Sequence, residues 1–268
     1  MIKIPVSFST HKPDYILIGC TAFLIFFGLV MLASSSANLG ELRFDDNYFY
    51  LKHQLLRGFI PGLIGFIIGS MVYYGIYEKL APLFFVGGLA LLLLIFSPLG
   101  VRAGGADRWL SLGPLTFQPS EFMKISFLLY ISAWLSGDKA RSSHATKGLI
   151  PFIALLGTLG IILLKQSSTS TFALLVATAC VIYFVSGAKL RHISAIVLIG
   201  LSALLTISYF SPYRWQRIIT FLNPGQNQET SSYHINQALI AIGSGGATGV
   251  GLGESTGKLN NLPEPIGD

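Results

Sequence analysis

The stretch Tyr15-Ile-Leu-Ile-Gly-Cys-Thr-Ala-Phe-Leu-Ile-Phe-Phe-Gly-Leu-Val-Met-Leu-Ala-Ser-Ser-Ser-Ala37 carries no charged side chain. Wound as an α-helix it rises about 35 Å, enough to cross a hydrocarbon core about 30 Å thick. The run is longer than the apolar core of a cleaved leader, and no small-x-small cleavage pattern follows it. It reads as a membrane helix. Six further windows of the same kind follow, at 55–74, 81–100, 118–136, 148–164, 171–186 and 193–210. The fold expected is therefore all-α, a polytopic transmembrane helical bundle with seven helices.

Composition points the same way. Over 268 residues, 52% are hydrophobic, only 11% are charged, and the mean hydropathy is +0.63. Soluble domains carry about 25% charged residues, so a cytosolic enzyme, a disordered chain and a conventional DNA-binding module are excluded. The net charge of +6 and pI near 9.3 would raise nucleic acid in a soluble protein. Here the basic residues fall between apolar runs, where anionic lipid or an anionic substrate explains them and no nucleic acid is needed. Cys20 and Cys180 sit inside apolar runs without a CxxC partner or a neighbouring histidine, so they read as packing residues, with no disulfide or metal framework.

Short connections are expected at 75–80, 137–147 and 187–192, longer ones at 38–54 and 101–117. Beyond 210 the chain turns rich in Gly, Asn, Gln and Ser. Two regions follow: a transmembrane part, 1–210, and a large extracytoplasmic loop, 211–268, read as incomplete at its C-terminal end. With the N-terminus placed in the cytoplasm, Lys and Arg divide almost evenly between the two sides, and the short, base-dense inner loops favour this orientation. The outer connections then hold many arginines that call for an anionic partner.

Three stretches could carry chemistry. The connection Arg102-Ala-Gly-Gly-Ala-Asp-Arg-Trp109 leads into Gln118-Pro-Ser-Glu-Phe-Met-Lys124. Pro119 suits a first helical turn and Glu121 the positive end of the helix dipole. Lys124, three residues on, shares the face of Glu121, and ionisable groups at such depth mark a functional interior. Arg108 with Trp109 reads equally well as an interfacial anchor. In Tyr213-Arg-Trp-Gln-Arg217, Arg214 and Arg217 stand three apart, a spacing at which two guanidinium groups could grip a pyrophosphate or snorkel to lipid head groups. The third runs through Ala241-Ile-Gly-Ser-Gly-Gly to Lys258 and Leu262-Pro-Glu-Pro-Ile-Gly-Asp268; it completes neither a GxGxxG nor a P-loop register. Glu264 and Asp268 are its candidate bases.

In order along the chain, these pieces resemble the SEDS family of shape, elongation, division and sporulation proteins, the FtsW/RodA/SpoVE group. The matching residues are Gly28-Leu-Val-Met-Leu-Ala-Ser-Ser-Ser, Gly105-Ala-Asp-Arg-Trp-Leu, Phe117-Gln-Pro-Ser-Glu-Phe-Met-Lys124, Tyr213-Arg-x-x-Arg-Ile with Phe221-Leu-Asn-Pro224, Ala241-Ile-Gly-Ser-Gly-Gly, and Lys258 with Leu262-Pro-Glu264. The opening Lys12-Pro-Asp-Tyr15 and the early serines resemble the division branch, FtsW, slightly more than the rod-elongation branch.

The resemblance implies ten membrane helices, about seven of them present here, in the bacterial plasma membrane. It implies a peptidoglycan glycosyltransferase that polymerises lipid II, an undecaprenyl-pyrophosphate-linked disaccharide, alongside a class B penicillin-binding transpeptidase and the proteins of the divisome or elongasome. The family's outer-loop aspartate matches Asp268, the general base expected, with Glu264 beside it. Arg108, Trp109, Glu121, Lys124, Arg214, Arg217 and Lys258 are the substrate-binding residues expected. No protein-held metal is expected, and a divalent cation stays open. Where the family reads Gln-Pro-Asp-Leu-Gly-Thr, this chain reads Gln166-Ser-Ser-Thr-Ser-Thr171, with Ser168 in place of the acid. The 268-residue form is expected to polymerise little or nothing. The other functions weighed are a lipid II transporter (flippase) and a non-catalytic scaffold for the transpeptidase.

Overall fold

The structure is a computed structural model that describes residues 13–103, 106–113, 115–137, 144–222, 233–246 and 248–251. Among the described residues seven apolar helices appear: α1 (Tyr15–Phe44), α2 (Phe49–Met71), α3 (Tyr74–Leu94), α4 (Pro119–Ser136), α5 (Ala145–Lys165), α6 (Thr169–Val185) and α7 (Leu190–Tyr209). Five are long and apolar enough to cross a bilayer on length and composition. The other two are α4, which carries Glu121 and Lys124, and α6, shorter at 17 residues. This is a multi-pass membrane protein.

Several boundaries depart from the sequence expectation. Helix α1 runs on to Phe44, so that most of the connection expected at 38–54 is helical. Its thirty residues rise about 45 Å, and the last turns therefore extend past the hydrocarbon. Helix α3 begins at Tyr74 rather than 81 and ends at Leu94 rather than 100, absorbing the connection expected at 75–80. The all-α expectation also misses a small sheet: β1 (Gly100–Ala103), β2 (Ala106–Leu112) and β3 (Leu115–Phe117) form an antiparallel β1-β2-β3 meander where a loop was expected. Two further helices, α8 (Pro212–Leu222) and α9 (Tyr233–Gly245), occupy part of the expected outer loop.

Proline shapes the interior of α2 and the entry of α5. Each contains a π-helical turn, Leu55–Phe59 and Ala145–Leu149, and each turn stops just short of a proline, Pro61 and Pro151. A proline donates no N–H and its ring crowds the carbonyl four residues back. The preceding N–H groups reach one residue further instead, Ile60 to the Leu55 carbonyl and Ile150 to that of Ala145.

The chain divides into two compact units. One runs over Tyr73–Leu204; the other takes in the described residues up to Val72 together with those from Leu205 onward. In the first unit, α4 is the central column. Its buried residues Ser120, Met123, Phe127, Ile131 and Leu135 recur at three and four, the stripe a helix presents to its neighbours. Gly88 of α3 lets α4 come close: a Cβ there would lie 2.8 Å from Met123 Sδ. Phe85 stacks on Tyr130 with centroids 4.5 Å apart, and Phe152 on Tyr183 at the same separation. Leu110 reaches the same core from β2.

In the second unit, α1 and α2 meet at a tight turn. Asp45 adopts φ 53 and its N–H donates to the Glu41 carbonyl at 3.0 Å. Phe44 stacks on Phe49 at 3.7 Å, and Gly40 is required there, because a Cβ would lie 2.6 Å from the Asp46 carbonyl oxygen. Away from the turn, the two helices flank an apolar groove of about 1330 Å³ lined by Ile25, Gly28, Gly62 and Phe66 among others.

Candidate active site at the sheet-covered end of the first unit

Helices α3 to α6 run alternately, so the sheet joining α3 to α4 and the turn joining α5 to α6 belong to one end. One hydrogen bond demonstrates this: Arg108 Nη2 on β2 donates to the Ser167 carbonyl oxygen at 2.7 Å.

A bulge places Arg108. Val101 pairs with Trp109 and Arg102 with Asp107, which leaves Arg108 as the extra residue of β2 without a cross-strand partner. Bulges re-aim a side chain and break the two-residue alternation of a strand. Beyond it β2 pairs regularly with β3, Leu110 with Phe117 and Leu112 with Leu115, and the hairpin turns at Gly113 with φ +68, a conformation glycine adopts without steric cost. Arg108 Nε is buried and has no hydrogen-bond partner. An unpaired N–H on a cation costs more than a neutral one.

The α5–α6 turn that receives Arg108 is itself held from a second direction. Gln166 is 2% exposed, and its Nε2 donates to the Leu92 carbonyl oxygen at 2.9 Å. That carbonyl needs the bond. At the end of α3 the Phe96 N–H, which would close an α-helical bond to Leu92, turns to the Leu93 carbonyl instead. Ser167 holds φ 55, and Ser168 Oγ bonds Thr171 Oγ1 at 3.0 Å rather than capping α6 through its backbone. Ser168, where the resemblance implied an acid, is 5% exposed.

At the start of α4, Pro119 and Ser120 are buried and Glu121 lies in the first turn. Glu121 Oε2 and Lys124 Nζ are 2.8 Å apart, with side-chain exposures of 56% and 30%. Glu121 therefore pairs with Lys124, while Arg108 binds the turn. Ser120 Oγ is buried without a partner. Trp109 is half-buried beside Arg108.

Arg108, Trp109, Glu121 and Lys124 thus share one end of the first unit. Arg214 and Arg217 stand on α8 in the other unit, and only their backbone belongs to the described structure. Lys258, Glu264 and Asp268 lie outside the described residues. No group of three or more His, Cys, Asp and Glu capable of holding a metal occurs among the described residues. Gln166 and Ser167 were not anticipated as part of the site; the signal was a polar run between two apolar windows, one of whose members carries an amide into the core.

Residues 14–268 match the FtsW/RodA/SpoVE family, described as "Cell cycle protein". Stage V sporulation protein E of Bacillus subtilis is 34% identical over 258 residues, 96% of this chain and 70% of that protein. A "Probable peptidoglycan glycosyltransferase FtsW" of Nitrosococcus halophilus is 36% identical over 257 residues, 96% of this chain and 66% of that protein. Among solved structures, a chain from work titled "Structural coordination of polymerization and crosslinking by a peptidoglycan synthase complex" superimposes with a TM-score of 0.61 at 26% identity, covering 84% of this chain and 65% of that one. The rod shape determining protein RodA of Thermus thermophilus gives 0.52 at 26% identity, covering 69% and 58%. This chain spans about two thirds of the length of these proteins, and by the extent of the match and the shared helical fold it belongs to the FtsW/RodA/SpoVE family.

Proposed function

We propose that this chain serves as a peptidoglycan glycosyltransferase that extends glycan strands from lipid II. What supports the reading is the gathering of Arg108, Lys124 and Glu121 at one end of a membrane-embedded core, in a family whose relatives carry that activity in their names.

In this reaction a hydroxyl of the acceptor sugar attacks the anomeric carbon of the donor. Its proton passes to a carboxylate, for which Asp268 is the candidate and Glu264 its neighbour. The bond from the anomeric carbon to the pyrophosphate oxygen breaks as the new glycosidic bond forms, and undecaprenyl pyrophosphate leaves with both electrons. Negative charge grows on that leaving group, and cations fixed before the reaction stabilise it at no reorganisation cost. Arg108 and Lys124, at one end of the first unit, are suited to this, as are Arg214, Arg217 and Lys258 by sequence. Glu121 holds the Lys124 ammonium in place. Trp109 offers a flat apolar face to the sugar or the first isoprene units. The polyprenyl chain stays in the bilayer, and a class B penicillin-binding transpeptidase would crosslink the strands made.

The test is polymerisation of purified lipid II by the intact protein reconstituted with its transpeptidase. Asp268→Asn should abolish glycan synthesis while leaving lipid II binding in place. Unchanged polymer would remove the enzyme assignment; unchanged transport of lipid II across vesicles with no polymer from the wild type would point to a flippase instead.

A further inference from the structure

Helix α8 (Pro212–Leu222) has the wrong polarity for a helix in water. Among its described side chains the buried one is polar: Thr220 is 5% exposed. Apolar residues face outward, with Trp215 at 41%, Ile219 at 36%, Phe221 at 79% and Leu222 at 68% exposure. At 100° per residue, Trp215, Ile218, Ile219 and Leu222 form one stripe, and Thr220 lies on the opposite side of the helix. A soluble helix would bury that stripe.

Eleven residues rise only about 17 Å, too little to span a hydrocarbon core. The helix nevertheless follows the membrane helix α7, which ends at Tyr209, with only two residues between. The chain also bends there. The rings of Tyr209 and Trp215 meet edge to face at 5.8 Å, although six residues of continuous helix would separate their backbones by about 9 Å of rise alone. The charge is one-sided: α8 contains Arg214 and Arg217 and no acidic residue. Arg214 borders the apolar stripe; Arg217 stands about 60° further round the wheel, toward the face opposite the stripe, with Phe221, 79% exposed, between them.

We propose that α8 is an interfacial helix that lies on the bilayer at the end of α7, its Trp215–Leu222 stripe sunk among the acyl chains and its net positive charge suited to the anionic head groups. The occupant of this surface is bilayer phospholipid. The stripe supplies the apolar area that such helices bury, about 5–10 Å into the head-group and acyl boundary, and the segment's one-sided charge suits anionic lipid. The assignment stands apart from the glycosyltransferase reading, since it holds whether or not the protein transfers sugars. If both are correct, α8 fixes the depth of Arg214 and Arg217 at the level of a lipid pyrophosphate.

The test uses tryptophan quenching in vesicles of phosphatidylcholine and phosphatidylglycerol, taking the difference between wild type and Trp215→Phe to isolate one indole. Lipids brominated at acyl carbons 6 and 7 should quench the Trp215 component more strongly than lipids brominated at carbons 11 and 12, and aqueous iodide should quench it at most weakly. Quenching by iodide but by neither brominated lipid would place α8 in water and overturn the proposal. Protection from all three would show the stripe covered by protein, whether a loop of this chain or a second copy, and would overturn it equally. Should Trp215→Phe not insert, a nitroxide at position 219 reports the same depth: accessibility to oxygen above that to a water-soluble nickel chelate is expected, and the reverse order refutes the assignment.

Discussion

Replacing Gln166 by leucine removes a single donor from the end of the core, and its consequence follows from the two groups involved. Gln166 is 2% exposed and its Nε2 is 2.9 Å from the Leu92 carbonyl oxygen. Leucine is of similar bulk, so little cavity forms, and the carbonyl is left without the amide that satisfies it. A buried acceptor stripped of its partner costs about 1–3 kcal/mol. At about 2–4 °C per kcal/mol for a chain of this order of size, the melting temperature should fall by roughly 2–12 °C. The measurement is thermal unfolding in nanodiscs followed by helical circular dichroism. Gln166→Glu adds a pH signature. Facing a carbonyl, a carboxyl group can donate only when protonated, which raises its folded-state pKa above the ordinary value of about 4.3. Its stabilising bond is therefore fully present below about pH 4.3 and is lost as pH rises through the folded pKa. Gln166→Glu should approach the wild type in acid and resemble or fall below Gln166→Leu at neutral pH. Two variants that melt with the wild type at every pH would refute the role given to this amide.

Gly160→Ala should destabilise by about 1–3 kcal/mol through overpacking, because a Cβ there would lie 2.8 Å from Phe172 Cζ; adding Phe172→Leu should recover most of the loss in the same unfolding assay. Asp46 is held below the ordinary carboxylate range first by its hydrogen bond from Lys52 and then by the Tyr48 N–H. That contribution exists above the unfolded pKa of about 3.9 and disappears as pH falls through the folded value, so melting curves of wild type and Asp46→Asn should converge in acid. Arg108→Lys should lose lipid II polymerisation in the intact protein nearly as fully as Arg108→Ala, since an ammonium cannot bind the Ser167 carbonyl and present a second fixed donor at once; retention of more than about half the wild-type rate by the lysine variant would argue against the guanidinium geometry.

The helices were legible because a bilayer-spanning segment must be apolar along its whole length, and seven such runs stand out. Their ends were less so. Glu78 and Lys79 mark a charged stretch in the sequence, yet α3 starts before them at Tyr74, since a helix end past the hydrocarbon can hold charge. The sheet was hidden by its own bulge: the extra residue at Arg108 interrupts the alternation that would identify β2. The pairing of Glu121 with Lys124 followed from their spacing. Gln166 did not follow, because a buried amide and a loop amide look alike until the carbonyl it satisfies, 74 residues earlier, is in place.

The attachment of Arg108 to Ser167 has a consequence for how this end of the molecule can change over time. The acceptor is a peptide oxygen, common to every amino acid, so no particular side chain at 167 has to accompany the arginine. What the position must keep is its left-handed turn, φ 55, and glycine or asparagine would serve as well as serine. A joint drift of residues 108 and 167 is thus not to be expected among descendants of this gene, although the two are in direct contact.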